Sequence, residues 1–359
     1  MLLFREIYKL PIHYIFFLYF IIFFIKFSTD TYASEVYKIK DIKISEAFDS
    51  NFDKNETIYK AFDLAFDELI SKIILSTDKK KLKKIRSSEI KNLVDYFAVI
   101  DEKFVDNKYI ALFEVEFSKI KINKLLEINN IFPSIPKNTD LFIMPILIKN
   151  NQFEPSLFSE NPFYLNWNKE TKKYFLIKYI LPNEDIEDIN MISQNINDLE
   201  KYNFSVIINK YNLKNFIIIV IYENGKELNV LSKVNFNKQY KILNSKYIDF
   251  DINNIDSINS VINKLKIIYE NEWKKVNQIN SSIKLTASLS LDNKNYTLVN
   301  KLEKKLSDLD IVANYYIDKF SGKKIIFKVI YNSAPDIFIK EITSAGFNVD
   351  HSSTVWLIK

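Results

Sequence analysis

The stretch from Asn92 to Phe117 constrains the fold more than any other part of the sequence, because its second half alternates without a break. One face of the alternation carries Tyr109, Ala111, Phe113, Val115 and Phe117, and the other carries Lys108, Ile110, Leu112, Glu114 and Glu116. A two-residue period predicts a half-buried strand. A second β-rich run, Tyr96 to Val105, comes first, and Asp106-Asn107 predicts the tight turn of a hairpin between them.

The amino-terminal segment has the order of an export signal. Arg5 and Lys9 precede a nearly unbroken apolar run from Ile12 to Ile25, and small residues at Thr31 and Ala33 suit a signal peptidase. The run is shorter than the ~20 residues that a spanning helix prefers, which favours cleavage after Ala33. Residues 1–33 are therefore predicted to be a signal peptide that sends the chain to the periplasm. The alternative is an uncleaved inner-membrane anchor with a periplasmic body.

Residues 34–132 are predicted to form an α+β domain around the hairpin. Val36 to Ile44 is strand-like, with a slip near Lys40-Asp41 that predicts a β-bulge. An amphipathic helix then runs from Ile58 to Ile73, with Asn55 as its expected N-cap. Ser87 or Ser88 is expected to cap a short helix that leads into the hairpin.

Residues 140–278 are predicted to form a mixed-sheet α/β domain after a proline-containing linker at 133–139. Leu141 to Ile148 is continuously apolar, as expected for a strand buried on both faces. The pattern further predicts a strand from Tyr174 to Leu181, a helix from Glu184 to Tyr202, a strand from Phe204 to Asn209, a hairpin around Asn224-Gly225 and a closing helix from Ile258 to Val276.

Residues 281–359 follow the order strand, helix, strand, strand, helix, strand, which predicts a ferredoxin-like domain. Its second helix is expected to have Ser333 as cap, Pro335 in the first turn and Gly346 at its end. The predicted fold class of the whole chain is therefore α+β, in three domains. Ferredoxin-like domains carry many functions, so this prediction assigns none.

The composition excludes several kinds of site. Fifty Lys and Arg against 45 Asp and Glu give a nearly balanced charge, which argues against a nucleic-acid partner. The absence of Cys removes disulfides, thiolate catalysis and Cys-based metal sites. Beyond the apolar segment His351 is the only histidine, and the chain has three Gly, so no cofactor or metal is expected. Basic and aromatic runs fit a genome-wide nucleotide bias and are not taken as signs of function.

Two stretches in the middle of the chain hold the candidate binding residues. Asn161, Pro162 and Trp167 belong to a loop whose aromatic side chains could line a sugar groove. The alternative is that these aromatic residues pack in the core. Glu184, Asp185 and Asp188 belong to the densest carboxylate group and could bind a hard cation such as calcium. The alternative is structural, because acids in the first turn of a helix complement its exposed amides and dipole.

Four stretches carry a resemblance to a known family. They are LVDYFAVIDEKFVDNKYIALFEVEF at 93–117, NPFYLNW at 161–167, LPNEDIEDI at 181–189 and the helix that bears Trp273. Together they resemble domain of unknown function two thousand and sixty-six, a proteobacterial family of exported proteins. The chain departs from the family pattern at Phe163, which replaces a tryptophan, and at Asn183-Glu184, where the family commonly has a glycine turn. The resemblance implies export and fold but no activity, because the family has none established.

Two kinds of function follow from these observations. The first is a non-enzymatic periplasmic binding or scaffold module, because an export signal and three small domains occur without a recognisable catalytic apparatus. Its expected partner is a protein of the cell envelope, with membrane contact only through the amino-terminal segment if that segment is uncleaved. The alternative is a hydrolase or lyase that acts through carboxylates on an envelope glycan, since paired acids suffice for glycoside chemistry. Two carboxylates across a concave cleft would favour the enzyme.

Overall fold

The computed structural model describes residues 35–149, 154–279 and 284–359, and over these ranges the protein belongs to the α+β class and contains three sheets. The predicted signal or anchor at 1–33 lies outside the described residues. The apolar core residues of the described ranges lie between Tyr37 and Ile358, so a chain that starts at Ser34 retains all of them.

The first unit surrounds a sheet of three antiparallel strands. In chain order its elements are β1 (Lys38–Ala47), α1 (Lys54–Ile73), α2 (Ser87–Leu93), β2 (Val94–Val105), β3 (Lys108–Phe117) and α3 (Lys119–Ile128). The strand order is β1-β3-β2, so β3 is central and β2 lies at an edge. Helix α1 buries its apolar face against this sheet in one hydrophobic cluster.

The predicted hairpin and bulge are both confirmed. Asp106 and Asn107 have φ of 52° and 55°, the left-handed pair that a type I′ turn requires. The apolar face of β3 is buried at every second position from Tyr109 to Phe117. The register between β1 and β3 shifts between Ile39 and Ile42, where Asp41 has a φ of 60°.

Two predicted caps in this unit are wrong. Helix α1 is capped by Asp53, whose Oδ1 accepts the backbone N–H of Asn55 at 2.7 Å, so Asn55 lies inside the first turn. Helix α2 begins at Ser87 itself, and the cap position is Arg86. Both helices start earlier than their apolar pattern, because polar residues fill the first turn and carry no periodic signal.

The second unit contains a mixed sheet, as predicted. In chain order its elements are β4 (Thr139–Lys149), α4 (Pro162–Asn166), β5 (Ile177–Ile180), α5 (Ile186–Gln194), α6 (Ser205–Asn209), β6 (Phe216–Asn224), β7 (Glu227–Phe236), β8 (Gln239–Tyr247) and α7 (Ile255–Val276). The strand order is β5-β4-β6-β7-β8, parallel across β5, β4 and β6 and antiparallel beyond. Strand β4 contributes alternate residues to two hydrophobic clusters, so it is buried on both faces.

Three predictions for this unit need correction. The segment Phe204–Asn209, expected to be a strand, contains the short helix α6, because a brief apolar run cannot be assigned by periodicity alone. The helix expected over 184–202 ends at Gln194 and is followed by a 3-10 turn. Strand β8 was not expected, because its residues are largely exposed and its turn uses Asn237 and Lys238 at positive φ instead of glycine.

The third unit has the predicted order of elements with one difference. Its elements are β9 (Leu285–Asp292), α8 (Tyr296–Asp308), β10 (Val312–Phe320), β11 (Lys324–Tyr331), α9 (Pro335–Ser344), β12 (Val349–Asp350) and β13 (Val355–Ile358). The strand order is β10-β11-β9-β13-β12. The chain ends in a small hairpin, so β13 runs parallel to β9, where a ferredoxin-like last strand would be antiparallel. Ala334, and not Ser333, occupies the cap position of α9.

The two predicted linkers contact each other. Ser134 and Gln278 form a β-bridge, and the backbone N–H of Ile279 donates to the carbonyl of Pro133 at 2.8 Å. The N–H of Ile135 donates to the carbonyl of Asn277 at 2.9 Å. The two segments therefore form a short two-stranded link beside the start of β4.

Candidate functional site

Asn161 and Pro162 have structural roles in the second unit. The side chain of Asn161 is fully buried and caps α4, because its Oδ1 accepts the N–H of Phe163 at 2.9 Å. Its Nδ2 donates to the carbonyls of Pro145 and Ser156 at 3.0 and 3.2 Å. Pro162 occupies the first turn of α4, where a missing N–H costs nothing. These contacts join the loop after β4 to the strand itself.

Trp167 packs in the core of the second unit. It is fully buried, and its ring lies 5.7 Å from that of Tyr179 and 6.4 Å from that of Tyr269. The indole Nε1 of Trp167 and the hydroxyl of Tyr179 both lack a hydrogen-bond partner in the described protein. Trp167 therefore contributes to the core and not to an exposed sugar groove.

The acidic stretch is organised around one lysine. Lys210 Nζ lies 2.6 Å from Asp185 and 2.7 Å from Asp188, and Asp188 is fully buried. Asp185 also caps α5, and the Lys210 ammonium lowers the pKa of the Asp185 carboxyl. Glu184 accepts a hydrogen bond from Ser159 at 3.1 Å, and the Tyr164 hydroxyl donates to the carbonyl of Pro182 at 2.7 Å, so the two predicted stretches lie side by side. This geometry follows the structural alternative, since an ammonium holds the position that a cation would take.

A row of buried charged residues on α7 went unnoticed in the sequence. Lys266, Glu270 and Lys274 are each at most 5% exposed and are spaced four residues apart, so they share one face of the helix. Lys266 Nζ donates to the carbonyl of Glu170 at 2.7 Å. Lys274 Nζ donates to the carbonyl of Ser71, in the last turn of α1. The sequence does contain a signal for this row, because charged residues recur every four positions among the apolar positions of α7.

Glu270 fixes the start of β5. Its carboxylate accepts the backbone N–H of Leu176 at 3.0 Å and that of Ile177 at 2.9 Å. Asn168 Nδ2 donates to the carbonyl of Tyr179 at 3.1 Å. A cavity of about 720 Å³ lies along this strand and includes Lys266 in its lining. Because side chains of the protein already bind backbone groups of β5, this cavity is poorly suited to pairing with a further strand.

The row predicts an alkaline dependence of stability. Burial lowers the pKa of Lys266 and of Lys274 to about 8, from 10.5. Between about pH 8 and 10 the unfolded chain then binds more protons than the folded one, so raising the pH favours folding. We expect the free energy of unfolding to rise by about 2 kcal/mol from pH 7.5 to 9. Denaturant titrations at each pH measure it.

The matched variant carries Lys266→Met and Lys274→Met together. Its unfolding free energy should be nearly flat over the same pH range, because neither buried ammonium remains to be neutralised. The window ends at pH 9, where few tyrosines of the unfolded chain have ionised, because burial raises the pKa of Tyr269 in the folded chain and would reverse the slope at higher pH. Equal slopes in the two proteins would contradict this assignment.

A second cavity lies between the first and third units, and we call it the inter-sheet cleft. It has a volume of about 600 Å³. One wall is the stretch of β10 from Val312 to Ile317, and the opposite wall comes from the β2–β3 sheet and the start of α3. Its floor is apolar and buried, with Phe117, Leu306 and Phe327. Strand β10 lies at the edge of its sheet and pairs within the described chain only with β11.

The charges that line the inter-sheet cleft are mostly negative. Four carboxylates line it, from Asp95, Glu116, Glu303 and Asp308, against the single ammonium of Lys119. Asp95 also forms an exposed ion pair at 3.1 Å with a lysine of α3. The remaining acids leave the cleft with an excess of negative charge.

Lys119 joins the two walls instead of facing the cleft as a free charge. Its Nζ donates to the carbonyls of Ser307 and Leu309 at 3.1 and 2.5 Å, at the carboxyl end of α8, where a cation complements the helix dipole. Burial lowers the pKa of Lys119 and raises that of the neighbouring Asp310 carboxyl. Lys119 therefore sets the spacing of the walls. No sequence motif indicates this role, because the partners of Lys119 lie about 190 residues away.

No family model matches the chain, and no curated protein matches it. Within residues 35–149, 154–279 and 284–359, no group of three or more histidine and acidic side chains is arranged to hold a metal ion. No helix in those same ranges is long and apolar enough to cross a membrane.

Proposed function

We propose that this chain is an exported, non-enzymatic binding module of the cell envelope that holds an extended segment of a protein partner in the inter-sheet cleft. The observation that carries the proposal is that one wall of this cleft is the edge of β10. An edge strand offers a row of backbone N–H and C=O groups, and an extended segment can bind it as an added strand.

The lining of the cleft favours a basic segment. In an added strand, alternate side chains point to opposite faces. One set would lie on the apolar floor, and the other would meet the carboxylates of Glu116, Glu303 and Asp308 at the rim. Tyr316 and Ile317, each about half exposed, extend the apolar surface at the open end of β10. A segment with alternating apolar and Lys or Arg residues fits both surfaces.

The export part of the proposal rests on the amino-terminal segment and on the four stretches that resemble an exported family. The first described residues, Glu35–Tyr37, form a 3-10 turn, and Tyr37 lines the inter-sheet cleft. The proposed cleavage site after Ala33 is therefore only a few residues from the cleft. If the segment is retained as an inner-membrane anchor, the partner would bind close to the membrane surface.

The alternative function is a carboxylate-dependent hydrolase or lyase of an envelope glycan. One observation favours it, namely that acids from two units, such as Glu116 on β3 and Glu303 on α8, line the same cleft. The binding function explains more of the site, because a glycan hydrolase has no use for the edge of β10. Release of soluble fragments from isolated envelope glycan by the protein would favour the enzyme.

Selection of peptides from a random displayed library tests the binding function. The chain from Ser34 onward is immobilised, and we expect enriched sequences that alternate apolar residues with Lys or Arg. Glu116→Lys combined with Glu303→Lys should weaken binding of such a peptide by about tenfold or more, because two attractions become repulsions.

Glu160→Lys serves as the matched control, since Glu160 is exposed in the second unit and lies outside the lining of the cleft. It should bind the selected peptides like the unmodified chain. Selection without any sequence preference, or equal binding by the cleft variant, would contradict the proposed function.

A further inference from the structure

The outer edge of β2 exposes an unusual amount of apolar surface. Tyr96, Phe97, Ile100, Phe104 and Val105 are between 40% and 58% exposed, and they occupy both faces of the strand. A long edge strand with exposed apolar side chains is a template for pairing with another chain. Such a surface on a folded protein marks an interaction site.

We propose that two copies of this chain associate through their β2 edges, antiparallel, with Phe97 of one copy opposite Phe104 of the other. This inference is independent of the inter-sheet cleft. It rests on the match between the β2 strands of two copies. The pairing of β2 with β3 shows which residues of β2 share a face and therefore which of them can lie opposite each other. The occupant is a second copy because the strand matches itself in one register, with residues of the same face and apolar side chains opposite each other.

The bulge in β2 determines which residues share a face. Val99 lies opposite Phe113 and Asp101 lies opposite Leu112, so Ile100 is the extra residue. Phe97 and Val99 before the bulge therefore share the α1 face of the sheet with Glu102 and Phe104 after it. Tyr96, Ala98, Asp101, Lys103 and Val105 lie on the other face.

One register of the two β2 strands places residues of the same face opposite each other on both sides of the sheet. When Phe97 of one copy lies opposite Phe104 of the other, the remaining pairs are Tyr96 with Val105, Ala98 with Lys103, Val99 with Glu102 and Ile100 with Asp101. Each of the first four pairs joins residues of the same face. The aromatic pair of Phe97 with Phe104 and the aromatic–aliphatic pair of Tyr96 with Val105 are of the kind that stabilises neighbouring strands. A two-fold axis repeats every pair, as an isologous interface requires.

The neighbouring registers are worse. A shift of one residue places residues of opposite faces against each other, which a continuous sheet does not allow. A shift of two residues opposes Phe97 to Glu102 in one direction and to Asp106 of the turn in the other. Both shifts lose the aromatic pair of Phe97 with Phe104.

The Glu102 carboxylate near the edge is already paired within each copy. Glu102 accepts hydrogen bonds from Lys54 Nζ and from the Tyr109 hydroxyl, both at 2.7 Å. Its place opposite Val99 of the second copy therefore leaves the Glu102 carboxylate with both of its partners. Phe48, nearly half exposed, contacts Phe104 with ring centroids 4.7 Å apart and extends the apolar surface on the α1 face.

Sedimentation of the chain from Ser34 onward tests the association. We expect a monomer–dimer equilibrium, and Ile100→Asp should raise its dissociation constant by about tenfold or more, because the new carboxylate would face Asp101 of the second copy. Ile248→Asp is the matched control, since Ile248 is 70% exposed in the second unit and should leave the dimer unchanged. Thermal unfolding of each variant shows that the monomers remain folded.

Cysteine cross-linking tests the register, and the chain contains no cysteine of its own. A mixture of the Ala98→Cys and Lys103→Cys chains should form a disulfide-linked dimer on mild oxidation, because these positions face each other. Ala98→Cys alone should not, since its two cysteines would lie roughly 15 Å apart along the strands. A chain that stays monomeric at every soluble concentration, a dimer that survives Ile100→Asp, or equal cross-linking of Ala98→Cys alone would overturn the proposal.

Discussion

Replacing Phe113 by aspartate should destabilise the first unit by about 4 kcal/mol or more, because it removes a buried aromatic ring and buries a carboxylate without a partner. Phe113 is fully buried at the centre of β3, between β1 and β2, and belongs to the cluster that α1 closes. Chemical denaturation followed by fluorescence and circular dichroism measures the loss. A partial transition is expected, with the first unit unfolding at lower denaturant than the others.

Glu114→Lys is the matched control at the next residue. Glu114 lies on the opposite face of β3 and forms an ion pair with Lys38 at 2.6 Å. The reversal replaces this attraction by a repulsion near the surface, so we expect a loss of about 1 kcal/mol. Losses of similar size at 113 and 114 would show that the register of β3 is wrong.

The hairpin was predictable because its information is local. Alternation fixed the buried face of β3, and Asp106-Asn107 fixed the turn, with no contribution from distant residues. The same holds for β4, whose continuous apolar run matches its burial on both faces. Where the local pattern was short or polar, as at Phe204–Asn209 and at β8, the sequence did not determine the element.

The candidate sites were less predictable, because their parts come from distant segments. The inter-sheet cleft combines Tyr37, Glu116, Glu303 and the edge of β10, which meet only after the first and third units pack together. The acids at 184–188 attracted attention by their density, but Lys210, about 25 residues on, completes their geometry. The high density of acidic residues along this stretch marks the start of a helix and not a ligand site.

The buried row on α7 was less predictable than the hairpin and more predictable than the candidate sites. Its four-residue spacing was visible, yet Lys266, Glu270 and Lys274 resemble ordinary solvent-facing residues unless their burial is known. Their partners are backbone groups at Ser71, Glu170 and the start of β5, which no sequence pattern marks. In the structure the row joins three separate backbone segments to one helix, and the polar contacts offset the cost of burying its charges.

Glu270→Ala should therefore cost about 3 kcal/mol of unfolding free energy, because the N–H groups of Leu176 and Ile177 lose their acceptor and Lys274 loses a neighbouring opposite charge. Denaturant titration measures the loss. Hydrogen exchange provides the local readout, since the amides of Leu176 and Ile177 should exchange faster than those of β4. Glu270→Gln should recover part of the loss, because its carbonyl oxygen can still accept one of these hydrogen bonds.

Glu272→Ala, on the same turn of α7, separates this role from a general effect of charge. Glu272 forms surface ion pairs with Lys241 and Lys275, both at 2.6 Å, and accepts no backbone N–H among the described contacts. We expect a loss below about 1 kcal/mol and unchanged exchange at Leu176 and Ile177. If Glu270→Ala leaves these two amides protected, the carboxylate does not hold the start of β5.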